Sequence, residues 1–298
     1  QLIIPTPEST RLSHFLKIIL KDFGNIILIG PTGTGKTMGV IKEINECFSQ
    51  REFGNIVSNF SGRTHVNFVQ RQIEAKMTTR KGKKGHYGPE DNKNQMVVFI
   101  DDVNMPAKEV YGAQPPIELL RMMLDHGFWY DLDVLDPKHL KSLNFAASMG
   151  PPSSGRNSVS SRFLRHFFIH FTTPYESKTL QLIFSSILDY QFQIASPRFL
   201  PSIVALKENI VSATIELFNK IKIAKELLPT PQKSHYIFSM RDISKVFQTM
   251  GNATFRTFKS EEDMIKLWMH ECSRVFCDRL ISITDKEACK HILKVLVK

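Results

Sequence analysis

Two groups of side chains in this sequence have the chemistry to hold a phosphorylated ligand and a metal ion. The first is an eight-residue run of Gly30, Pro31, Thr32, Gly33, Thr34, Gly35, Lys36 and Thr37. The second is the adjacent carboxylate pair Asp101 and Asp102. A lysine neutralises phosphate oxygens, a threonine hydroxyl and an aspartate hold Mg²⁺, and a further carboxylate polarises an attacking water. These residue types therefore predict a site for a nucleoside triphosphate with Mg²⁺.

The spacing within Gly30–Thr37 matches the pattern G-x-x-x-x-G-K-[ST] without a mismatch. The four apolar residues 26–29 before it predict a buried strand, and residues 38–48 after it have the apolar spacing of a helix. Strand, glycine-rich turn and helix, in this order, form the context of a phosphate-binding loop, because backbone N–H groups and the helix N-terminus then face the anion. We interpret the run as a nucleotide site rather than a chance match.

The carboxylate pair follows a second apolar run, residues 96–100, which also predicts a buried strand. In an open parallel sheet, ligands bind beyond the carboxyl ends of the strands, so Asp101 should reach the same edge as Lys36. Taken alone, two aspartates after an apolar run are equally typical of a helix cap or a surface turn. Downstream of a complete phosphate-binding loop, they favour a Walker B motif, with Asp101 on Mg²⁺ and Asp102 facing the attacking water.

The remaining apolar runs predict an α/β fold with a parallel sheet flanked by helices. Further strands are expected at 55–60, 144–149 and 167–171, helices at 10–20, 64–76 and 115–126, and a hairpin at 128–140. From Pro174 onward no strand-like run remains; one long helix is expected over about 203–228, then helices near 240–250, 261–282 and 285–297. We therefore place a nucleotide-binding domain at 1–173 and a small, all-helical domain at 174–298.

The composition bounds the possible partners. A hydrophobic fraction of 42% over 298 residues allows a sizeable core. The formal net charge of +10 is compatible with nucleic acid, but the densest basic cluster, residues 76–84, lies in a Gly-, Asn- and Pro-rich stretch and is better interpreted as a solvated surface loop. No apolar run approaches the roughly 18 residues that a membrane span needs, so no membrane partner is expected.

Cysteine and histidine add no further site. The four cysteines form no C-x-x-C pair, which favours reduced thiols in a cytosolic compartment. His166 and His170 would share one face of the last strand, but a metal site needs more ligands, so we interpret both as ordinary histidines.

Several further motifs, in the order of the chain, resemble an AAA+ module and, more narrowly, the third AAA+ module of an axonemal dynein heavy chain. Beside the phosphate-binding loop, the residues that carry the resemblance are Phe99–Pro106 (FIDDVNMP), Gly112–Arg121 (GAQPPIELLR), Trp129–Asp131 (WYD), Gly155–Asn157 (GRN), Arg162–His166 (RFLRH), His235–Asp242 (HYIFSMRD) and His270–Leu280 (HECSRVFCDRL). The match covers nearly the whole chain. It implies a P-loop NTPase domain followed by a helical lid domain.

The resemblance assigns roles to residues outside the two phosphate motifs. Arg241, at the start of a lid helix, corresponds to the sensor-2 arginine that reaches the γ-phosphate; the alternative is a helix-start charge paired with Asp242 or another carboxylate. Arg162 corresponds to the arginine finger, which would act in trans on the nucleotide of the preceding module, and Arg165 is the alternative for that role. In nucleotide folds of this type the segment before the first strand lines the adenine pocket.

We assign the adenine contacts to Ile4 and Pro5. The ligands implied are ATP or ADP with Mg²⁺. The partners implied are neighbouring AAA+ modules of the same heavy chain, while microtubules would be contacted only through other parts of the parent chain. The sequence begins with Gln1, from which we expect an excerpt of a longer protein.

Two positions depart from the family pattern and bear on hydrolysis. Asp102 stands where many active AAA+ proteins have glutamate, and its shorter side chain must shift or use a second water to reach the attacking water; a misplacement near 1 Å costs on the order of a hundredfold in rate. Gly150 stands where the family often has a sensor-1 asparagine. We therefore expect secure nucleotide binding but slow or regulated hydrolysis.

The expected function is a regulatory ATPase module of a ciliary dynein motor, in the cytoplasm and the axonemal cytoskeleton. Two alternatives stay open. One is a module that holds nucleotide as a structural ligand without hydrolysing it. The other is a nucleic-acid-remodelling AAA+ ATPase, for which the basic charge of the chain would be the signal.

Overall fold

The chain forms two compact units. The computed structural model describes residues 4–22, 24–45, 53–80, 84–90, 93–152, 156–195 and 199–297. One unit is Pro7–Pro174, and the other is formed by the described residues from Tyr175 onward together with residues 4–6. The predicted helix end at Phe48, Cys47, and Lys81 and Lys83 of the basic cluster lie outside the described residues.

The first unit is built on a parallel sheet in which the phosphate-loop strand has a neighbour on each side. Its strands, numbered in chain order, are β1 (Ile26–Ile29), β2 (Phe53–Asn59), β3 (Met77–Thr79), β4 (His86–Pro89), β5 (Gln95–Asp101), β6 (Phe128–Tyr130), β7 (Pro137–Leu140), β8 (Leu143–Met149) and β9 (Phe168–Phe171). The main sheet has the order β2-β5-β8-β1-β9, and every neighbouring pair in it is parallel. The strands predicted around the two phosphate motifs are therefore confirmed.

Helices cover both faces of this sheet. They are α1 (Pro7–Lys21), α2 (Lys36–Glu43), α3 (Val66–Glu74), α4 (Pro115–His126) and the short α5 (Ser161–Leu164). Ile26 and Leu28 pack in one hydrophobic cluster with α1 and α2, whereas Ile27 packs in a second cluster with α3 and α4. Successive side chains of a strand point to opposite faces, so an uninterrupted apolar strand is what a sheet covered on both sides requires.

A second, four-stranded sheet has the order β3-β4-β7-β6. The hairpin predicted at 128–140 is confirmed as the antiparallel pair β6 and β7. The prediction that the basic stretch 76–84 and its surroundings form only a surface loop is wrong, because β3 and β4 pair antiparallel there and β4 also pairs with β7. These three- and four-residue strands lack an apolar alternation, so their pairing depends on a distant neighbour rather than on a local pattern.

The second unit is helical in its described residues. It contains α6 (Ser177–Asp189), α7 (Pro201–Ala205), α8 (Lys207–Ile223), α9 (Met240–Met250), α10 (Glu261–Cys272) and α11 (Ile283–Val297). None of the described helices is long and apolar enough to span a membrane.

The prediction of one long helix over 203–228 is wrong. The helix breaks at Leu206, and α8 ends at Ile223 because Ala224 is extended (φ −60°, ψ 120°). A 3₁₀ turn, Lys225–Leu227, follows. The apolar stripe runs through both breaks because α7, α8 and the 3₁₀ turn all contribute buried residues to the same core. The helix predicted over 261–282 is likewise shorter, since α10 ends at Cys272 and a π-helical turn follows over Ser273–Cys277.

Candidate nucleotide-binding site

The glycine-rich run forms a tight loop between β1 and α2. Gly33 (φ 85°) and Gly35 (φ 76°) adopt the left-handed conformation that glycine tolerates best. Gly30 is glycine for a different reason: a Cβ there would lie 2.1 Å from Thr172 Oγ1 and 2.4 Å from the Thr172 carbonyl oxygen. The chain just after β9 therefore packs directly against the start of the loop.

Lys36 lies at the centre of this loop, with only 9% of its surface exposed. Its Nζ donates hydrogen bonds to the carbonyl oxygens of Gly30 (2.9 Å) and Pro31 (2.6 Å) and to Thr34 Oγ1 (3.3 Å). Thr34 is buried, whereas Pro31 and Thr32 are exposed at the tip. The arrangement brings a cation and the N-terminus of α2 to one place, which is the chemistry of a phosphate site.

Asp101 comes to the same edge of the sheet as the loop. Thr37 Oγ1 donates a hydrogen bond of 2.8 Å to Asp101 Oδ2. One hydroxyl and one carboxylate fit Mg²⁺, which takes few protein ligands and completes its shell with water and phosphate oxygens. Among the described residues no group of three or more His, Cys, Asp or Glu side chains could hold a metal by itself. Thr37 and Asp101 thus provide two of the oxygen ligands that a hydrated Mg²⁺ can take.

Ser148 is a site residue that sequence reasoning missed. It lies on β8, is 1% exposed, and donates a hydrogen bond to Asp101 Oδ1. Asp101 is thus held on both oxygens, by Thr37 from one side and by Ser148 from the other. The available signal was a hydroxyl within a mostly apolar strand, and its meaning depended on β8 lying between β1 and β5.

The backbone of Asp102 is left-handed (φ 52°), so the chain leaves the extended conformation of β5 at this residue. Its Oδ1 accepts a hydrogen bond of 3.1 Å from Arg156 Nη2, and 41% of its side chain is exposed. Arg156 also lies against Gly150, where a Cβ would be 1.4 Å from Arg156 Nη1. The space that a sensor side chain would fill at Gly150 is therefore occupied by a guanidinium group. Sequence reasoning quoted Arg156 only as part of a motif and gave it no role.

The two arginines of the run RFLRH have different surroundings. Arg162 is exposed on α5, and its guanidinium group makes no ion pair with any residue that the structure describes. Arg165 donates to Asp125, and this contact holds the pKa of the Asp125 carboxyl below its ordinary value. His166 Nε2 lies 2.8 Å from Asp125 Oδ1 and precedes β9, so the prediction that His166 and His170 share a strand face is wrong.

Arg241 lies in the second unit, exposed in the first turn of α9. The alternative of a pair with Asp242 is wrong, because that carboxylate accepts hydrogen bonds from Arg279 and, at 2.8 Å, from the Ser239 N–H. Arg241 makes no ion pair within the described part of the chain. The half-buried Ile4 and the exposed Pro5 also belong to the second unit. Of the residues predicted from sequence, the first unit thus contains the phosphate loop, both aspartates and Arg162.

Comparisons with known proteins agree with this geometry. The family model described as the P-loop containing dynein motor region matches residues 1–175, and the model of an AAA+ lid domain matches residues 210–298. The chain is 39% identical to human "Dynein axonemal heavy chain 1" over 98% of its length, and 39% identical to rat "Dynein axonemal heavy chain 12" over its full length. It is 40% identical to mouse "Dynein axonemal heavy chain 3" over 98% of its length. The chain spans 7%, 9% and 7% of these relatives, respectively.

Proposed function

The chain belongs to the family of P-loop dynein motor regions, and we propose that it is a Mg-ATP-binding AAA+ module that hydrolyses ATP slowly or under the control of its neighbours. Within the family it corresponds best to the third module of the motor ring. The relatives are named as axonemal heavy chains, so we place the parent protein in the ciliary axoneme. Microtubules would be contacted through other parts of that parent chain.

One contact carries the proposal for binding. Thr37 and Asp101 are distant in sequence, yet their side chains meet at 2.8 Å. In P-loop NTPases the loop hydroxyl and the Walker B carboxylate hold Mg²⁺ beside the β- and γ-phosphates. Lys36 directly precedes Thr37 in the same loop, so one Mg-nucleotide would engage all three groups. We assign Gly30–Thr37 to the phosphates, and Thr37 with Asp101 to Mg²⁺.

The state of Asp102 supports slow hydrolysis. To polarise the attacking water, its carboxylate must have a free oxygen directed at that water. The hydrogen bond from Arg156 to Oδ1 fixes the orientation of both oxygens and draws negative charge from the carboxylate, and the backbone is left-handed. Asp102 is also one methylene shorter than glutamate, and small errors in position cost large factors in rate.

Arg162 is the residue we propose as the finger for the neighbouring module. An arginine finger must project from the surface with its guanidinium group available to another module's γ-phosphate. Arg162 meets this requirement, whereas Arg165 is engaged with Asp125. The nucleotide of the present module would in turn receive its finger from the module that follows.

The second unit contributes the proposed lid contacts. Arg241 has the exposure and the available charge that a γ-phosphate sensor needs, because Arg279 satisfies the neighbouring Asp242. Ile4 and Pro5 belong to the same unit and are proposed to contact the adenine. A lid that binds both ends of the nucleotide would shift with nucleotide state.

A non-hydrolysing module is the second candidate, and the contact between Arg156 and Asp102 is the observation that favours it. A carboxylate permanently neutralised in this way would leave ATP as a structural ligand. The relatives are dynein heavy chains and do not favour the nucleic-acid alternative.

Binding and single-turnover hydrolysis, measured on one preparation, test the proposal. With Mg²⁺ present, the wild type and the control Lys141→Ala, which removes an exposed lysine, should bind ATP and ADP equally well. Lys36→Ala should weaken both at least tenfold, because it removes the only lysine inside the described loop. Asp102→Glu should hydrolyse ATP faster than the wild type, by up to about a hundredfold.

Each failure has a separate meaning. If the wild type binds no nucleotide and Lys36→Ala behaves identically, the assignment of the site is wrong. If the wild type and Asp102→Glu both bind ATP and neither hydrolyses it, the non-hydrolysing candidate replaces the first.

A further inference from the structure

Arg156 is the one cation that contacts Asp102 among the described residues. Its Nη2 donates to Asp102 Oδ1 at 3.1 Å, and only 19% of its side chain is exposed. The guanidinium group of Arg156 fills the space beside Gly150. It can lie there only because residue 150 is glycine, since a Cβ at this position would collide with Arg156 Nη1.

The segment that carries Arg156 is fixed by backbone contacts. The Asn157 N–H donates to the Asn104 carbonyl oxygen at 3.1 Å, and Asn157 Nδ2 donates to the Pro106 carbonyl oxygen at 2.8 Å. Asn104, which is fully buried, donates through Nδ2 to the Gly150 carbonyl oxygen at 2.9 Å. The chain after β5 and the chain after β8 are therefore joined by hydrogen bonds on both sides of the Arg156–Asp102 contact.

This contact affects chemistry because Asp102 is the carboxylate available to polarise water. A guanidinium group at hydrogen-bond distance neutralises the negative charge of a carboxylate and occupies one of its oxygens. The same carboxylate must accept a hydrogen bond from the attacking water. The water oxygen then attacks the γ-phosphorus, and the bond between that phosphorus and the oxygen that leaves with ADP breaks. By drawing charge from the carboxylate and fixing its orientation, Arg156 makes Asp102 a weaker acceptor for that water.

We propose that Arg156 is a positioning residue that restrains Asp102 and thereby slows hydrolysis. This inference rests on the proposed function, since it concerns the same site. It assigns the slow rate to a specific ion pair in addition to the short side chain of Asp102. Release of the pair, by movement of either joined segment, would give the module a regulated rate.

The size of the effect is bounded by the strength of the pair. Asp102 is partly exposed, and water weakens ion pairs of this kind. Removing the guanidinium group should therefore raise the single-turnover rate by about threefold, which corresponds to ~0.7 kcal/mol in the barrier.

The variant Arg156→Met removes the charge and keeps most of the volume. We expect the single-turnover rate to rise about threefold, with ATP and ADP dissociation constants unchanged within about twofold. Arg156→Lys should restore a rate near that of the wild type, and Arg11→Met, a change of an exposed arginine in the same unit, should leave the rate unchanged. In an Asp102→Asn background, Arg156→Met should have no effect on the rate.

Three outcomes in the rate and binding measurements would overturn the inference. The first is a lower single-turnover rate in Arg156→Met than in the wild type. The second is a rise in that rate that persists in the Asp102→Asn background. The third is a loss of affinity for ATP but not for ADP in Arg156→Met, which would place Arg156 on the γ-phosphate. A readout independent of turnover is the carbon chemical shift of the Asp102 carboxyl group by NMR. It should move in Arg156→Met and not in Arg11→Met. If no variant hydrolyses bound ATP, the proposed hydrolysis fails, while an unmoved shift refutes the ion pair itself.

Discussion

Replacing Gly30 by alanine gives the sharpest test of how the phosphate-binding loop is built. The new Cβ would lie 2.1 Å from Thr172 Oγ1 and 2.4 Å from the Thr172 carbonyl oxygen. The hydroxyl can rotate away, but the carbonyl belongs to the backbone, which is held by the hydrogen bond from the Thr172 N–H to the Ile29 carbonyl oxygen at 2.8 Å. The loop and the end of β9 must therefore move apart.

The cost follows from this overlap. Forcing an extra methyl group into a packed site costs about 1–3 kcal/mol, and each kcal/mol lowers the Tm of a unit of this size by roughly 2–4 °C. A fall in Tm of about 2–12 °C is therefore expected. Displacing Gly30 also moves the carbonyl oxygen that accepts from Lys36, so ATP affinity should fall by at least about tenfold, a loss of ~1.4 kcal/mol.

Thermal unfolding and ATP binding by calorimetry measure both effects on the same sample. The matched control is Gly62→Ala, because a Cβ at Gly62 would meet its nearest neighbour, the Met105 carbonyl oxygen, at 3.9 Å, an ordinary contact distance. That variant should bind ATP normally and keep or slightly raise its Tm. If Gly30→Ala matches Gly62→Ala in both measurements, the close packing of loop and strand end is wrong.

Three further variants test other parts of the proposal. Ser148→Ala removes the hydrogen bond to Asp101 Oδ1. In a Mg²⁺ titration, the Mg²⁺ concentration needed for half-maximal ATP binding should rise several-fold. An unchanged midpoint of this titration would contradict the role given to Ser148. Arg241→Ala should change stability by less than about 0.5 kcal/mol and weaken ATP more than ADP. Arg279→Ala should lower the Tm, because the buried Asp242 carboxylate then keeps only the more distant Lys245, at 3.6 Å, as a cation. Equal effects of the two variants on Tm would refute the distinction.

The sequence was sufficient for the parts of the site that are encoded by neighbouring residues. The phosphate-binding loop is contiguous, and each requirement of its backbone is met by a glycine within the same eight residues. Asp101 could be placed beside it because a parallel sheet brings the carboxyl ends of its strands to one edge. Both predictions depend on local chemistry and one general rule of topology.

The remaining contacts depend on which distant segments become neighbours. Ser148 reaches Asp101 because β8 lies next to β5, and Arg156 reaches Asp102 because Gly150 leaves room for it. Arg156 has no local pattern that distinguishes it from other loop residues, and the hydroxyl of Ser148 does not by itself indicate which residue it contacts. The break at Leu206 was missed for a related reason: both helices bury residues in one core, so the apolar period continues although the helix does not.

The position of β1 in the sheet has a consequence for how the unit is synthesised. Both neighbours of β1, β8 and β9, come from far later in the chain, and Thr172 is 143 residues from its hydrogen-bond partner Ile29. A ribosome exposes residues in order, so the glycine-rich loop emerges long before the strands that hold it in shape. Nucleotide can stabilise only the finished unit, by mass action on the native state. In the proposed function, ATP would therefore stabilise the unit only after β8 and β9 have been synthesised.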